Sequence, residues 1–274
     1  VYDVKGGSGN DTFTFAGNLS ANDVIDGNGG TDTVSMTGVA AITGSTYNLT
    51  DVETFQITTA ADNTSVALNA ASMTGISTIR FDENIDTNNS GNENYTVNNL
   101  AAGQEVTFAQ TVAGVDAGGT LTVALADASG TSDNLTVNLL GGAGDTAANN
   151  TLGGLSVLNV ETLNIVSGSD STTALGAADD NTLSTITTDA TLGTLNLSGS
   201  DPLIVTVGAS ATGMSTINAS GMSDTVSITP SNTLAGLTIT GGSANDTIIM
   251  GAGLNNSDSI DGGAGTDEVT ATIT

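Results

Sequence analysis

The chain has no cysteine, histidine or tryptophan, and its 274 residues include only two basic ones, Lys5 and Arg80. Each absence removes a class of activity. Without cysteine there is neither a disulfide framework nor a thiolate nucleophile, and without histidine there is no imidazole for acid–base work or zinc binding. Two cations cannot neutralise a phosphate backbone or line a cleft for an anionic polysaccharide, so nucleic-acid binding, adhesion to anionic membranes and β-helical lyase chemistry are disfavoured. No run of about 18 apolar residues is present, so no direct membrane insertion is expected. A nucleophile elbow and a phosphate loop with its lysine are also missing. Paired carboxylates could in principle hydrolyse glycosides, but those present sit in glycine-rich turns. The sequence therefore predicts a protein that is not an enzyme.

Acid and glycine are what the chain has in excess. It carries 29 acidic residues for a formal charge of −27, with 36 glycines and two prolines. Acidic, aromatic-poor chains are candidates for disorder. Here, however, 38% of residues are hydrophobic and mean hydropathy is +0.11, and the apolar residues are mostly Val, Ile and Leu in short alternating runs. Such a chain can bury a core. It reads as all-β, with short strands and frequent turns.

One stretch occurs twice. Residues 6–34 (GGSGNDTFTFAGNLSANDVIDGNGGTDTV) align without a gap on residues 241–269 (GGSANDTIIMGAGLNNSDSIDGGAGTDEV), and 15 of the 29 positions are identical. Within each copy a smaller pattern appears twice, at the same spacing in both: GGSGNDTFT from Gly6 and GNGGTDTVS from Gly27, then GGSANDTII from Gly241 and GGAGTDEVT from Gly262. Glycine permits positive φ and sharp turns that aim carbonyls at a cation, the aspartate supplies charge, and the apolar residue returns the chain to a strand.

A second repeat fills the region between. Val52-Glu53-Thr54-Phe55-Gln56-Ile57 recurs as Val160-Glu161-Thr162-Leu163-Asn164-Ile165. The same apolar frame returns at Ile76/Ile79/Phe81, Leu192/Leu195/Leu197, Met214/Ile217/Ala219 and Leu234/Leu237/Ile239. Successive frames begin at Val52 and Ile76, at Leu192 and Met214, and at Met214 and Leu234, each a step that matches one coil of a solenoid. The chain then holds about twelve coils, or about 55–60 Å at about 4.8 Å each. A β-sandwich shares the strand spacing but does not predict the repeated phase. Residues 82–94, with Asp82, Glu83, Asp86 and Glu93, read as a solvated loop, with an extra cation site as the alternative. Gly141-Gly142-Ala143-Gly144-Asp145 reads as a decayed turn, its aspartate one position early.

The four turns resemble the G-G-x-G-x-D-x-U-x nonapeptide of RTX proteins, which binds calcium in parallel β-helices. Together with the V-E-T-[LF]-x-I and T-L-x-[LI] coils, they make the chain similar to RTX-bearing S-layer proteins of Gram-negative bacteria and to RTX adhesins. The resemblance implies a parallel β-solenoid over residues 1–274 with Ca2+ in its turns. The candidate site residues are Gly7, Gly9 and Asp11, then Gly27, Gly30 and Asp32, in the first pair. In the second they are Gly242 and Asp246, then Gly263, Gly265 and Asp267. Asp23 and Asp26, and likewise Asp258 and Asp261, add carboxylates ahead of the second turn of each pair. All four turns are expected along one edge, Asp11 above Asp32 and Asp246 above Asp267. Asn28 and Ala244 depart from the pattern, each putting a side chain where a close-approach glycine is expected.

In that family such a chain is secreted, folds outside the cell on calcium and assembles laterally with copies of itself on the bacterial surface. Cell-surface polysaccharide is a further partner of this class. The competing expectation is a calcium-rigidified stalk or ligand-binding segment of an adhesin. The chain starts inside a repeat pattern and reads as a segment of something longer.

Overall fold

The computed structural model describes residues 1–17, 19–37, 47–59, 65–73, 75–83, 94–110, 119–141, 150–169, 181–231 and 236–272. Short alternating runs rich in Thr, Val, Ile and Leu form strands, and the strand pairs are parallel. Parallel neighbours require a crossover. Here each crossover is itself a strand of the opposite sheet, which makes the fold a parallel β-solenoid.

One sheet has eleven strands, from Thr12–Phe15 to Ser259–Asp261. The chain alternates between it and an opposing side made of two sheets. The first has three strands, Asp3–Lys5, Val24–Asp26 and Asn48–Thr50; the second has ten and runs from Val66–Asn69 to Glu268–Ala271. The only helical turn among the described residues is the short 3-10 segment Ala70–Ser72.

Register converts the sequence repeats into columns. Phe13, Val34, Phe55, Ile79, Val106, Val137, Ile165 and Leu197 pair in succession and point inward. All but half-buried Phe13 are essentially inaccessible. Each such side chain contributes about 1.5–3 kcal/mol of burial, and the contacts come from the coils on either side. The alternate residues face outward, as in the column Thr12, Thr33, Thr54 and Thr78. Every described member of the repeated apolar frames is buried, including Val52, Val160, Leu192 and Met214. Leu234 lies outside the described residues.

Coil length is less regular than the sequence frames suggest. Thr12 pairs with Thr33 and Glu105 with Thr136, so the second of these coils takes roughly half as much chain again as the first. The long sheet therefore has eleven rungs rather than twelve, or about 48 Å for its ten steps at about 4.8 Å. Part of the difference lies in the strands themselves, Thr12–Phe15 and Val24–Asp26 in the first coil against Glu105–Gln110 and Thr120–Leu125 in the second. Solenoid packing fixes the register between neighbouring coils and leaves coil length free to vary.

One sequence reading needs correction. Asp82 and Glu83 do not open a loop but end the strand Thr78–Glu83. Asp82 is buried on that strand against Arg80, whose Nε donates to Asp82 Oδ1 at 2.6 Å, while Gln56 donates to the other carboxylate oxygen. Partnering allows the charge inside a strand. Asp86, Glu93 and the candidate turn at 142–145 lie outside the described residues.

Candidate cation-binding turns

Within each pair the two turns stack one coil apart, as their spacing in the sequence requires. Asp11 N–H donates to Asp32 Oδ1 at 2.7 Å, and Asp246 N–H donates to Asp267 Oδ1 at 3.0 Å. The expectation of one common edge fails. Residues 6–11 and 27–32 lead into the eleven-stranded sheet, whereas residues 241–246 and 262–267 lead out of it. The pairs thus sit at opposite ends of its parallel strands. The offset between the two copies spans a half-integral number of coils, which ungapped alignment cannot register.

The two turns of a pair differ in how their aspartate is used. In the first, Gly7 N–H donates to Asp11 Oδ2 at 2.6 Å, and Gly242 N–H donates to Asp246 Oδ2 at 2.5 Å. Asp246 is 1% exposed and its Oδ1 accepts Val226 N–H, so both its oxygens are satisfied. In the second turn the equivalent N–H groups, of Asn28 and Gly263, turn away to Asp26 Oδ1 and Asp261 Oδ1, both at 3.1 Å. This leaves Asp32 Oδ2 sealed from solvent without a hydrogen-bond partner, in a residue that is 1% exposed. A buried, unmatched carboxylate oxygen is among the costlier arrangements in a protein.

Asp23 and Asp258 do not join the turns that follow them. Each lies at the far end of a short strand, Val24–Asp26 or Ser259–Asp261. Asp23 Oδ1 accepts Tyr2 N–H at 2.6 Å and its Oδ2 accepts Ser20 N–H at 2.7 Å; Asp258 takes Leu237 N–H at 2.9 Å and Asn255 N–H at 2.8 Å. These carboxylates replace the carbonyls that corner peptide groups lose when the chain bends out of the ladder. The Tyr2 peptide bond, helped by Ser20, holds the Asp23 carboxyl below its ordinary range. Asp26 is lowered as well, chiefly by the Lys5 ammonium, whose Nζ lies 2.6 Å from its Oδ2.

The glycines are not equivalent. A Cβ on Gly27 would lie 1.9 Å from Asp51 O and 2.4 Å from Asp32 Oδ2. Gly30 and Gly265 adopt φ of +131° and +126°. Gly9 shows neither constraint, because nothing lies within 4 Å of its would-be Cβ. Ala244, its counterpart, is therefore harmless. Asn28 takes φ 73°, which asparagine tolerates, and its side-chain amide donates to Gly7 O at 2.9 Å.

Sequence reading missed part of this system. Glu53 Oε2 accepts Asp32 N–H at 2.7 Å and Glu161 Oε2 accepts Asp133 N–H at 2.8 Å, which gives the repeated Val-Glu-Thr its structural meaning. Asp133 repeats the arrangement at Asp32: Ser129 N–H donates to Asp127 Oδ1 at 3.1 Å, and Asp133 Oδ2 is buried without a partner. The signal was present as Asp-x5-Asp, at 26/32, 127/133 and 261/267. It was obscured because residues 128–132 lack the glycine pairs of the nonapeptide.

Among the described residues no three acidic side chains gather into a carboxylate cage. What the turns offer a cation is a single desolvated carboxylate oxygen, Asp32 Oδ2, with no hydrogen-bond partner. Calcium takes six to eight oxygens, water included, in tolerant geometry. Comparisons with protein-family models, curated proteins and solved structures return no match for this chain.

Proposed function

We propose that the chain is a structural, calcium-dependent, self-assembling protein of the bacterial cell surface, a subunit of an S-layer lattice or extracellular filament. The unpartnered, buried Oδ2 of Asp32 carries the calcium part of this reading. A cation there would be held by Asp32 with carbonyls of the Gly27–Asp32 turn and its stacked neighbour. It would supply the charge that the buried oxygen lacks.

Charge and shape support the assembly part. The solenoid presents straight, in-register outer columns of Thr and Asn, and Asn196 Nδ2 donates to Asn164 Oδ1 of the preceding coil at 2.9 Å. Two bodies of formal charge −27 repel until cations accumulate between them. Calcium would therefore both stiffen the turns and permit contact between copies. Secretion and a location outside the cell belong to the same proposal, since extracellular calcium matches the weak affinities of about 10⁻⁴–10⁻³ M typical of such modules.

The test is electron microscopy of the purified chain, with chelator, calcium or magnesium. Ordered sheets or filaments with calcium alone support the reading. A calcium-stiffened protein that stays monomeric transfers the assignment to an adhesin stalk or ligand-binding segment.

A further inference from the structure

The two turn pairs share one backbone plan and differ in charge at two aligned positions, Lys5 against Thr240 and Thr33 against Glu268. Lys5, on the strand Asp3–Lys5, stands in register with Asp26, and its Nζ lies 2.6 Å from Asp26 Oδ2. The counterpart of Lys5 in the second pair is Thr240, in register with Asp261. Both aspartates use Oδ1 in the same way, to accept the second N–H of their turn at 3.1 Å. The first pair therefore has an internal counter-ion that the second lacks. In a chain with only two basic residues, this placement adjoins the turn that holds the unsatisfied Asp32 oxygen.

We propose that Lys5 is a resident cation that weakens calcium binding at the first pair, so that the second pair, with Thr240 in its place, loads at lower calcium. This rests on the calcium reading given above and adds an order of filling. The Lys5 ammonium neutralises Asp26 and repels a divalent ion arriving at the same turn. The attraction is mutual, for Asp26 also holds the Lys5 ammonium above its ordinary range. Lys5 is largely exposed, at 69% of its side chain, so solvent limits the effect to that of a surface ion pair. That corresponds to about a two- to five-fold change in calcium affinity.

Calcium titration by calorimetry tests this with the pairs separated. In an Asp267→Asn background the first pair is read, and adding Lys5→Thr should tighten binding about two- to five-fold, while Lys5→Arg leaves it unchanged. In an Asp32→Asn background the second pair is read, and Thr240→Lys should weaken it by a similar factor. Circular dichroism of each variant confirms that the solenoid has formed. Binding in both backgrounds with no response to Lys5→Thr or Thr240→Lys overturns the role of Lys5 and leaves the calcium reading intact. Absence of binding in the unsubstituted chain overturns both.

Discussion

Asp32 reaches back one coil to accept the peptide N–H of Asp11 at 2.7 Å, and its other carboxylate oxygen meets no donor. One side chain thus closes a gap in the backbone hydrogen bonding and opens a deficit of its own. The first property makes the residue structural. The second makes it a candidate ligand.

The capping role extends to glutamate. Glu53 and Glu161 each satisfy a corner N–H that has no strand partner, so Glu53→Ala or Glu161→Ala should cost about 1–3 kcal/mol in urea unfolding. Glu268, exposed on the last strand, is the control, and Glu268→Ala should stay within about 0.5 kcal/mol. Equal losses at all three positions would show that bulk charge, not capping, sets the effect.

The glycines give a second contrast. Gly27→Ala drives a methyl group into Asp51 O and should destabilise the fold by at least about 1–3 kcal/mol. Gly9→Ala meets open space at ordinary φ and should stabilise by about 0.4–1 kcal/mol, through loss of unfolded-state freedom. Unfolding midpoints in denaturant, compared at constant slope, distinguish the two.

Acid should loosen the first coils. The carboxyl of Asp23 titrates below its unfolded range because the folded chain donates Tyr2 and Ser20 N–H groups to its ionised form. A lowered folded pKa gives stability that is present above about pH 4, the unfolded value, and lost as pH falls through the folded one. Asp23→Asn should flatten this acid-side slope in pH-dependent unfolding. An unchanged slope would mean that the Tyr2 contact contributes nothing.

Much of this architecture is legible in the sequence because a solenoid repeats its burial pattern locally. The frame at Val52, Phe55 and Ile57 recurs at Val160, Leu163 and Ile165, and both sets are buried in register. Coil lengths are less legible, since strands lengthen from one coil to another without changing the burial phase. The sites were legible as turns but not in detail. Asp23 and Asp26 are close in sequence, yet the intervening strand sends them to different corners. Asp133 escaped notice because what it shares with Asp32 is a hydrogen-bond pattern, and only the Asp-x5-Asp spacing survives in the sequence.

The most direct test of the account is thermal unfolding of the wild-type chain and Asp32→Asn, each with chelator and with millimolar calcium, using magnesium as control. With chelator, Asp32→Asn should match or exceed the wild type, because it removes a buried, unmatched charge while its amide oxygen can still accept Asp11 N–H. Calcium should then raise the wild-type midpoint more than that of the variant, by mass action on the folded state, and reverse their order. Equal shifts in the two proteins, or none in either, would contradict a calcium ion held by Asp32.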